Sequence, residues 1–146
     1  MKKMAAAFVA LAAAGSLAAC EKPPPRATFF SGTTSEWVAP VCYSSGGQLD
    51  AQQCLTDAAQ KAASGQTPGL AVSPGNVVGI SVDPSIAESG WTPSIAGQQL
   101  VTTPLTSTYY RFTFPMVQDA SQPLPLTVTS LGDDKGVWAV RLEVQN

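Results

Sequence analysis

Residues 137–144 alternate: Trp138, Val140, Leu142 and Val144 fall on one side of an extended chain, with Arg141 and Glu143 on the other. Residues 106–114 do the same, with Thr108, Tyr110, Phe112 and Phe114 opposite Tyr109, Arg111 and Thr113. Val78, Ile80 and Val82 alternate with Gly79, Ser81 and Asp83. A period of two is the period of a strand, and it leaves each strand with one apolar face. Such a face stays wet unless a second layer covers it, so the chain must build at least two layers of strands.

Other segments fit this frame. Residues 27–30 and 36–43 read as two strands about a Ser-Gly-Thr-Thr turn, with Thr28, Phe29, Phe30, Trp37, Val38, Val41 and Tyr43 supplying β-branched and aromatic content. Pro40 has no N–H to give a ladder, which predicts an edge or a bulge there. Leu70-Ala-Val precedes Ser73-Pro74-Gly75-Asn76, a turn in which Pro74 presets φ and Gly75 tolerates positive φ. Asp83-Pro84 ends the strand over 77–83. Further strands are expected over 91–96, 98–102 and 126–131, with a turn at Asp133-Asp134-Lys135-Gly136 before the last strand. Short strands joined by turn chemistry predict a mainly β, two-sheet β-sandwich with the hairpin over 126–144 at its centre.

One stretch departs from this pattern. Residues 48–63 are rich in helix formers, and Ser64-Gly65 supplies a stop. Leu49, Cys54, Leu55, Ala58 and Ala62 would make one apolar stripe, which predicts one short helix inserted between strands. An irregular loop is the alternative.

The N-terminus follows different rules. Met1-Lys2-Lys3-Met4 is a short positive segment, residues 5–14 are apolar, and Gly15-Ser16 breaks the run before Leu17-Ala18-Ala19-Cys20. This is the three-part layout of a secretory signal, and the apolar run is too short and alanine-rich to span a bilayer. Leu17-Ala18-Ala19-Cys20 resembles the lipobox of bacterial lipoprotein precursors. The resemblance implies cleavage of residues 1–19 and lipidation of Cys20, a diacylglyceryl and palmitate-type anchor on the extracytoplasmic side of a cell membrane. Two acyl chains suffice for stable anchoring where one is marginal. Residues 20–26, with Pro23, Pro24 and Pro25, would form a polyproline tether of roughly 20 Å, and residues 27–146 a single domain. The order of lipobox, proline spacer, Thr28-Phe-Phe-Ser-Gly hairpin, Val38-Ala-Pro-Val-Cys-Tyr and Gly136-Val-Trp also resembles small actinobacterial lipoproteins of unknown function. That likeness implies an immunoglobulin-like sandwich and carries no catalytic residue.

The lipobox resemblance bears on the cysteine arithmetic. With Cys20 acylated, Cys42 and Cys54 remain of the three cysteines. In an oxidising envelope they are expected to form a disulfide, with two buried free thiols as the alternative. Cleavage would also remove Lys2 and Lys3, leaving a chain more acidic than the net charge of −2 of the whole sequence. No basic run exists to track phosphates, so no nucleic-acid partner is expected.

Histidine is absent, which excludes Ser-His-Asp and Cys-His machinery and the commonest metal ligand. Lys22, Lys61 and Lys135 are not set in a Ser-x-x-Lys motif. Asp133-Asp134 form the adjacent carboxylate pair, but a turn explains them; Asp83 and Glu88 stand apart. No metal or cofactor is expected. Trp91, Tyr110, Phe112 and Trp138 fall on inward faces, as core or as pocket lining. Trp37, Tyr43 and Tyr109 fall at edges or outward, and Tyr109 with Arg111 and Arg141 is a candidate binding patch, since Tyr and Arg are enriched at hot spots. The expected role is a non-enzymatic, membrane-anchored binding or accessory module meeting an envelope protein, glycan or lipid. A carboxylate-dependent envelope hydrolase, or a subunit of an envelope enzyme, is the alternative.

Overall fold

The computed structural model describes residues 22–116 and 121–145. The expected signal over 1–19, the acceptor Cys20 and part of the proline-rich loop before the last hairpin lie outside the described residues. Among the described residues the alternating segments pair into two sheets. In the first, β1 (Ala27–Ser31) turns at Gly32 (φ 58°) into β2 (Thr34–Val38), while β5 (Val77–Val82) joins its other side and β8 (Tyr109–Thr113) closes the row as β2-β1-β5-β8, antiparallel throughout. In the second, β3 (Cys42–Ser45), β10 (Asp134–Val144), β9 (Leu124–Leu131), β6 (Trp91–Ile95) and β7 (Gln98–Gln99) follow in that order. β10 is long enough to carry two neighbours on one edge. β3 pairs antiparallel with its first half, and β4 (Gly69–Val72) pairs parallel with its second. The result is a mainly β, two-sheet sandwich with the final hairpin β9–β10 inside the larger sheet.

The inner faces meet in one core. Phe29, Ile80, Trp91, Phe114, Leu126, Val128, Trp138 and Leu142 are fully buried there, so the inward assignments of Trp91 and Trp138 hold as core, with Tyr110 and Phe112 packed at its margin. Each buried indole finds an acceptor. Trp91 Nε1–H donates to Ser107 O and Trp138 Nε1–H to Pro25 O, both at 2.8 Å. An unmatched indole N–H would cost about 1–3 kcal/mol.

Three expectations change. The strand over 36–43 is two strands in different sheets, because the chain crosses the sandwich at Ala39-Pro40, where proline cannot donate to a ladder. Val41 N–H resumes pairing by donating to Val137 O at 2.7 Å. Second, the described residues form two helices rather than one. Asp83-Pro84 ends β5 and also begins α2 (Pro84–Ser89), with proline in the first turn, where its missing N–H leaves no bond unmade. Ile86 and Ala87 of α2 are buried in the main core. Third, the domain starts before Ala27. Pro25 is buried under Trp138, and Arg26 N–H donates to Asp83 Oδ2 at 2.8 Å, so the end of the expected tether belongs to the fold.

The expected helix is α1 (Ala51–Ala63), capped by Asp50, whose Oδ1 accepts from Gln53 N–H at 3.0 Å. Cys54, Ala58 and Ala62, four residues apart, are its buried face. Cys54 and Ala58 pack on Val137 and Ala139, which point out of the larger sheet beside β3. The Cys42–Cys54 disulfide is formed, with Cα atoms 6.1 Å apart, and ties the first turn of α1 to β3. The helix therefore roofs part of the larger sheet and leaves the rest of that face open.

Candidate functional site

The proposed patch of Tyr109, Arg111 and Arg141 is not one surface. Tyr109 and Arg111 lie on β8 in the smaller sheet, whereas Arg141 lies on β10 in the larger one. Arg141 is committed to architecture. Its Nη1 donates to Gly65 O (3.2 Å) and Thr67 O (2.5 Å) in the loop after α1, and its Nη2 pairs with Glu143 Oε1 at 2.6 Å. Alternation alone could not reveal this, because it reports which way a strand residue points and not which sheet it joins.

The smaller sheet gathers other partners around Tyr109. Register places Trp37, Thr28, Ser81 and Tyr109 in one row across its outer face, and Ser35, Phe30, Gly79 and Arg111 in the next. Phe30 lies across Gly79, where a Cβ would collide with its ring, and stacks on Tyr109 with centroids 5.8 Å apart and planes 10° from parallel. The Arg26 guanidinium sits 4.3 Å above the Trp37 ring, a cation–π contact. Trp37 is 61 % exposed and Tyr109 46 %. Among the described residues neither Arg26 nor Arg111 has an ion-pair partner.

The larger sheet carries a groove. Beside the helical roof, the outward residues of β6 and β9 form its floor: Thr92 opposite Thr129, and Ser94 opposite Thr127. Ser94 Oγ and Thr127 Oγ1 share a hydrogen bond of 2.7 Å. Leu55 and Ala59 of α1 make one wall, and Gln99, Pro104 and Leu131 stand among the remaining lining residues. The cavity measures about 1000 Å³, the upper end of the usual range for small-molecule sites. No charged and no aromatic residue lines it. Anions and cations find no counter-charge there, and a sugar ring finds no aromatic plate to stack on. Aliphatic surface beside a strip of hydroxyls suits an uncharged amphiphile.

Of the adjacent carboxylates, Asp134 is engaged by the fold. Tyr43 Oη–H donates to Asp134 Oδ1 at 2.6 Å, Asp134 N–H donates to Ser89 Oγ at 2.9 Å, and Ser130 Oγ–H donates to Asp134 O at 2.6 Å. The turn itself is Gly132-Asp133, one residue earlier than expected, since β10 already begins at Asp134. The Tyr43 hydrogen bond holds the Asp134 carboxyl below its ordinary pKa against the opposing push of desolvation, and the same bond raises the Tyr43 phenol. A folded-state pKa below the unfolded one stabilises the fold at pH values above the unfolded carboxyl, and that contribution is lost as pH falls through the folded value. Tyr43→Phe is therefore expected to flatten the loss of stability below about pH 4, as read from urea midpoints across an acid series. Superimposable wild-type and variant profiles would remove this role from the pair.

Among the described residues no cluster of three or more His, Cys, Asp or Glu side chains could hold a metal ion. No helix among them is long and apolar enough to cross a membrane. The groove was not legible beforehand. Its hydroxyl floor is visible in sequence as outward Thr and Ser in two separate strands, but their pairing across more than thirty residues is a tertiary fact. Comparison with protein-family models, with curated proteins and with solved structures gave no match.

Proposed function

We propose that the chain is an exported, lipid-anchored binding module of the cell envelope, non-enzymatic, which takes an uncharged amphiphilic ligand in the groove between α1 and the β6–β7 side of the larger sheet. The observation that carries the reading is the lining of that groove: aliphatic walls, a hydroxyl floor and neither charge nor aromatic ring. No carboxylate stands among those residues, so the alternative of carboxylate-dependent hydrolysis has no acid or base to use at this position. Export is supported by Leu17-Ala18-Ala19-Cys20 and by the Cys42–Cys54 disulfide, a bond that persists in oxidising compartments.

The uncharged dye Nile red probes the groove. Its fluorescence is expected to rise on binding the protein, and Ala59→Arg is expected to weaken that binding by roughly tenfold or more, about 1.4 kcal/mol per decade. Ala59 is exposed on a helix and arginine is a good helix former, so the change in folding stability should stay within about 0.5 kcal/mol. Dye uptake that is absent in the wild type, or indifferent to this substitution, would refute the groove as the site. The anchor is tested separately: an alkyne fatty acid fed to producing cells should label the wild type and not Cys20→Ser.

A further inference from the structure

We propose that the outer face of the smaller sheet, bearing Arg26, Trp37, Tyr109 and Arg111, is the face this module lays on the phospholipid surface, so that the groove points away from the membrane. The proposal rests on the lipid anchor at Cys20 and adds an orientation to it.

Chain length is the first reason. Trp138 Nε1–H holds Pro25 O, and Arg26 is held on both sides of its backbone: its N–H donates to Asp83 Oδ2 (2.8 Å), and its carbonyl accepts from Asp83 N–H (3.1 Å). The chain is thus fixed to the domain from Pro25 onward. Only four residues, Glu21 to Pro24, lie between Pro25 and Cys20, a span of about 15 Å as polyproline II. A headgroup layer is itself about 5–8 Å thick, so a tether this short keeps the surface around Arg26 at the membrane. Arg26 stacks on Trp37, and the cross-strand row through Trp37 runs directly to Tyr109.

The chemistry of the face is the second reason. Arg26 and Arg111 lack ion-pair partners among the described residues, and phospholipid phosphates would supply them. Trp and Tyr rings are favoured at headgroup level, where an apolar body and a polar edge are both satisfied. The acylated chain, without Lys2 and Lys3, is more acidic than the net charge of −2 of the whole sequence, so an anionic bilayer selects the side that presents unpaired arginines. The groove lies on the outer face of the other sheet and would open away from the bilayer.

The test uses the acylated protein isolated from producing cells and mixed with vesicles of phosphatidylcholine and phosphatidylglycerol. Flotation with the vesicles reports the anchor alone. Replacing part of the phosphatidylcholine by a species brominated at a shallow acyl position then reports depth. Bromine is expected to quench part of the tryptophan emission, and Trp37→Phe is expected to abolish that quenching while Trp91 and Trp138 continue to emit from the core. Arg26→Ala with Arg111→Ala should diminish the quenching without releasing the protein from the vesicles. Protein that floats but is not quenched, with Trp37 as open to aqueous acrylamide as in Cys20→Ser, overturns the orientation and leaves the anchor standing. Protein that does not float overturns both. Shielding of Trp37 that requires other envelope proteins assigns the face to a protein partner and likewise overturns the proposal.

Discussion

Trp138→Ala is expected to remove about 3–5 kcal/mol of folding stability, the largest effect of any single substitution argued for this chain. The indole is fully buried at the centre of the sandwich core. Two losses add. The ring leaves a cavity that strands of both sheets cannot close without moving, and Pro25 O loses its donor in a buried place. Gly136 shows how closely this ring is fitted, since a Cβ there would stand 2.8 Å from Trp138 Cη2. Typical domains have only about 5–15 kcal/mol in total, so the variant should unfold at low urea or fail to accumulate. Trp138→Phe separates the two terms. It keeps most of the packing and removes only the N–H, with an expected loss of about 1–3 kcal/mol. Its specific signature is faster hydrogen exchange at Arg26 N–H, the amide that donates to Asp83 as the chain enters the fold. Unchanged protection there would mean that Pro25 is held by packing alone.

Removing the disulfide by Cys42→Ala with Cys54→Ala is expected to lower stability by about 3 kcal/mol, the chain-entropy value for a loop of roughly a dozen residues. The local consequence matters more. The bond ties the start of α1 to β3, while the rest of the helix rests on the small side chains of Ala58, Val137 and Ala139. Alanine contacts bury little area, so without the bond the helix should loosen first, and its amides should exchange faster than those of β9 and β10. Since Leu55 and Ala59 form a wall of the groove, Nile red binding should fall with it. A double variant that keeps helix protection and dye uptake would show that the roof is held by packing, and the structural role given to the bond would be wrong.

How far the fold could be read in advance varied with the range of the interactions involved. Strands with strict alternation, expected over 77–83 and 106–114 and found as Val77–Val82 and Tyr109–Thr113, were legible because a period of two is written in a few consecutive residues. The helix expected over 48–63 was legible for the same reason at a longer period, with Ser64-Gly65 as its stop, and the structure starts it later, at Ala51 after the cap Asp50. Pro40 predicts an edge or a bulge, and both strands that flank it, β2 and β3, are edge strands; a missing N–H does not say that the chain also changes sheet there. Asp83-Pro84 was read only as a stop, although the same pair starts a helix when buried space waits for Ile86. For the candidate patch, the outward direction of Tyr109 and Arg111 was correct, and the inclusion of Arg141 was not. Phe30 reaches Tyr109 only because β5 pairs with β1 on one side and with β8 on the other, which no local pattern encodes.

Local chemistry, then, determined the long alternating strands and the helix after Asp50, which of their side chains turn inward, and that Cys42 stands near enough in sequence to Cys54 for a short loop. Those properties depend on backbone sterics and on the repeat of apolar side chains, which neighbours along the chain decide. The partition of strands between two sheets, the covering of Val137 and Ala139 by α1, the open hydroxyl floor beside it and the capture of Pro25 by Trp138 depended on tertiary structure. Each arises when surfaces remote in sequence exclude water together, and that free energy exists only once both are in place.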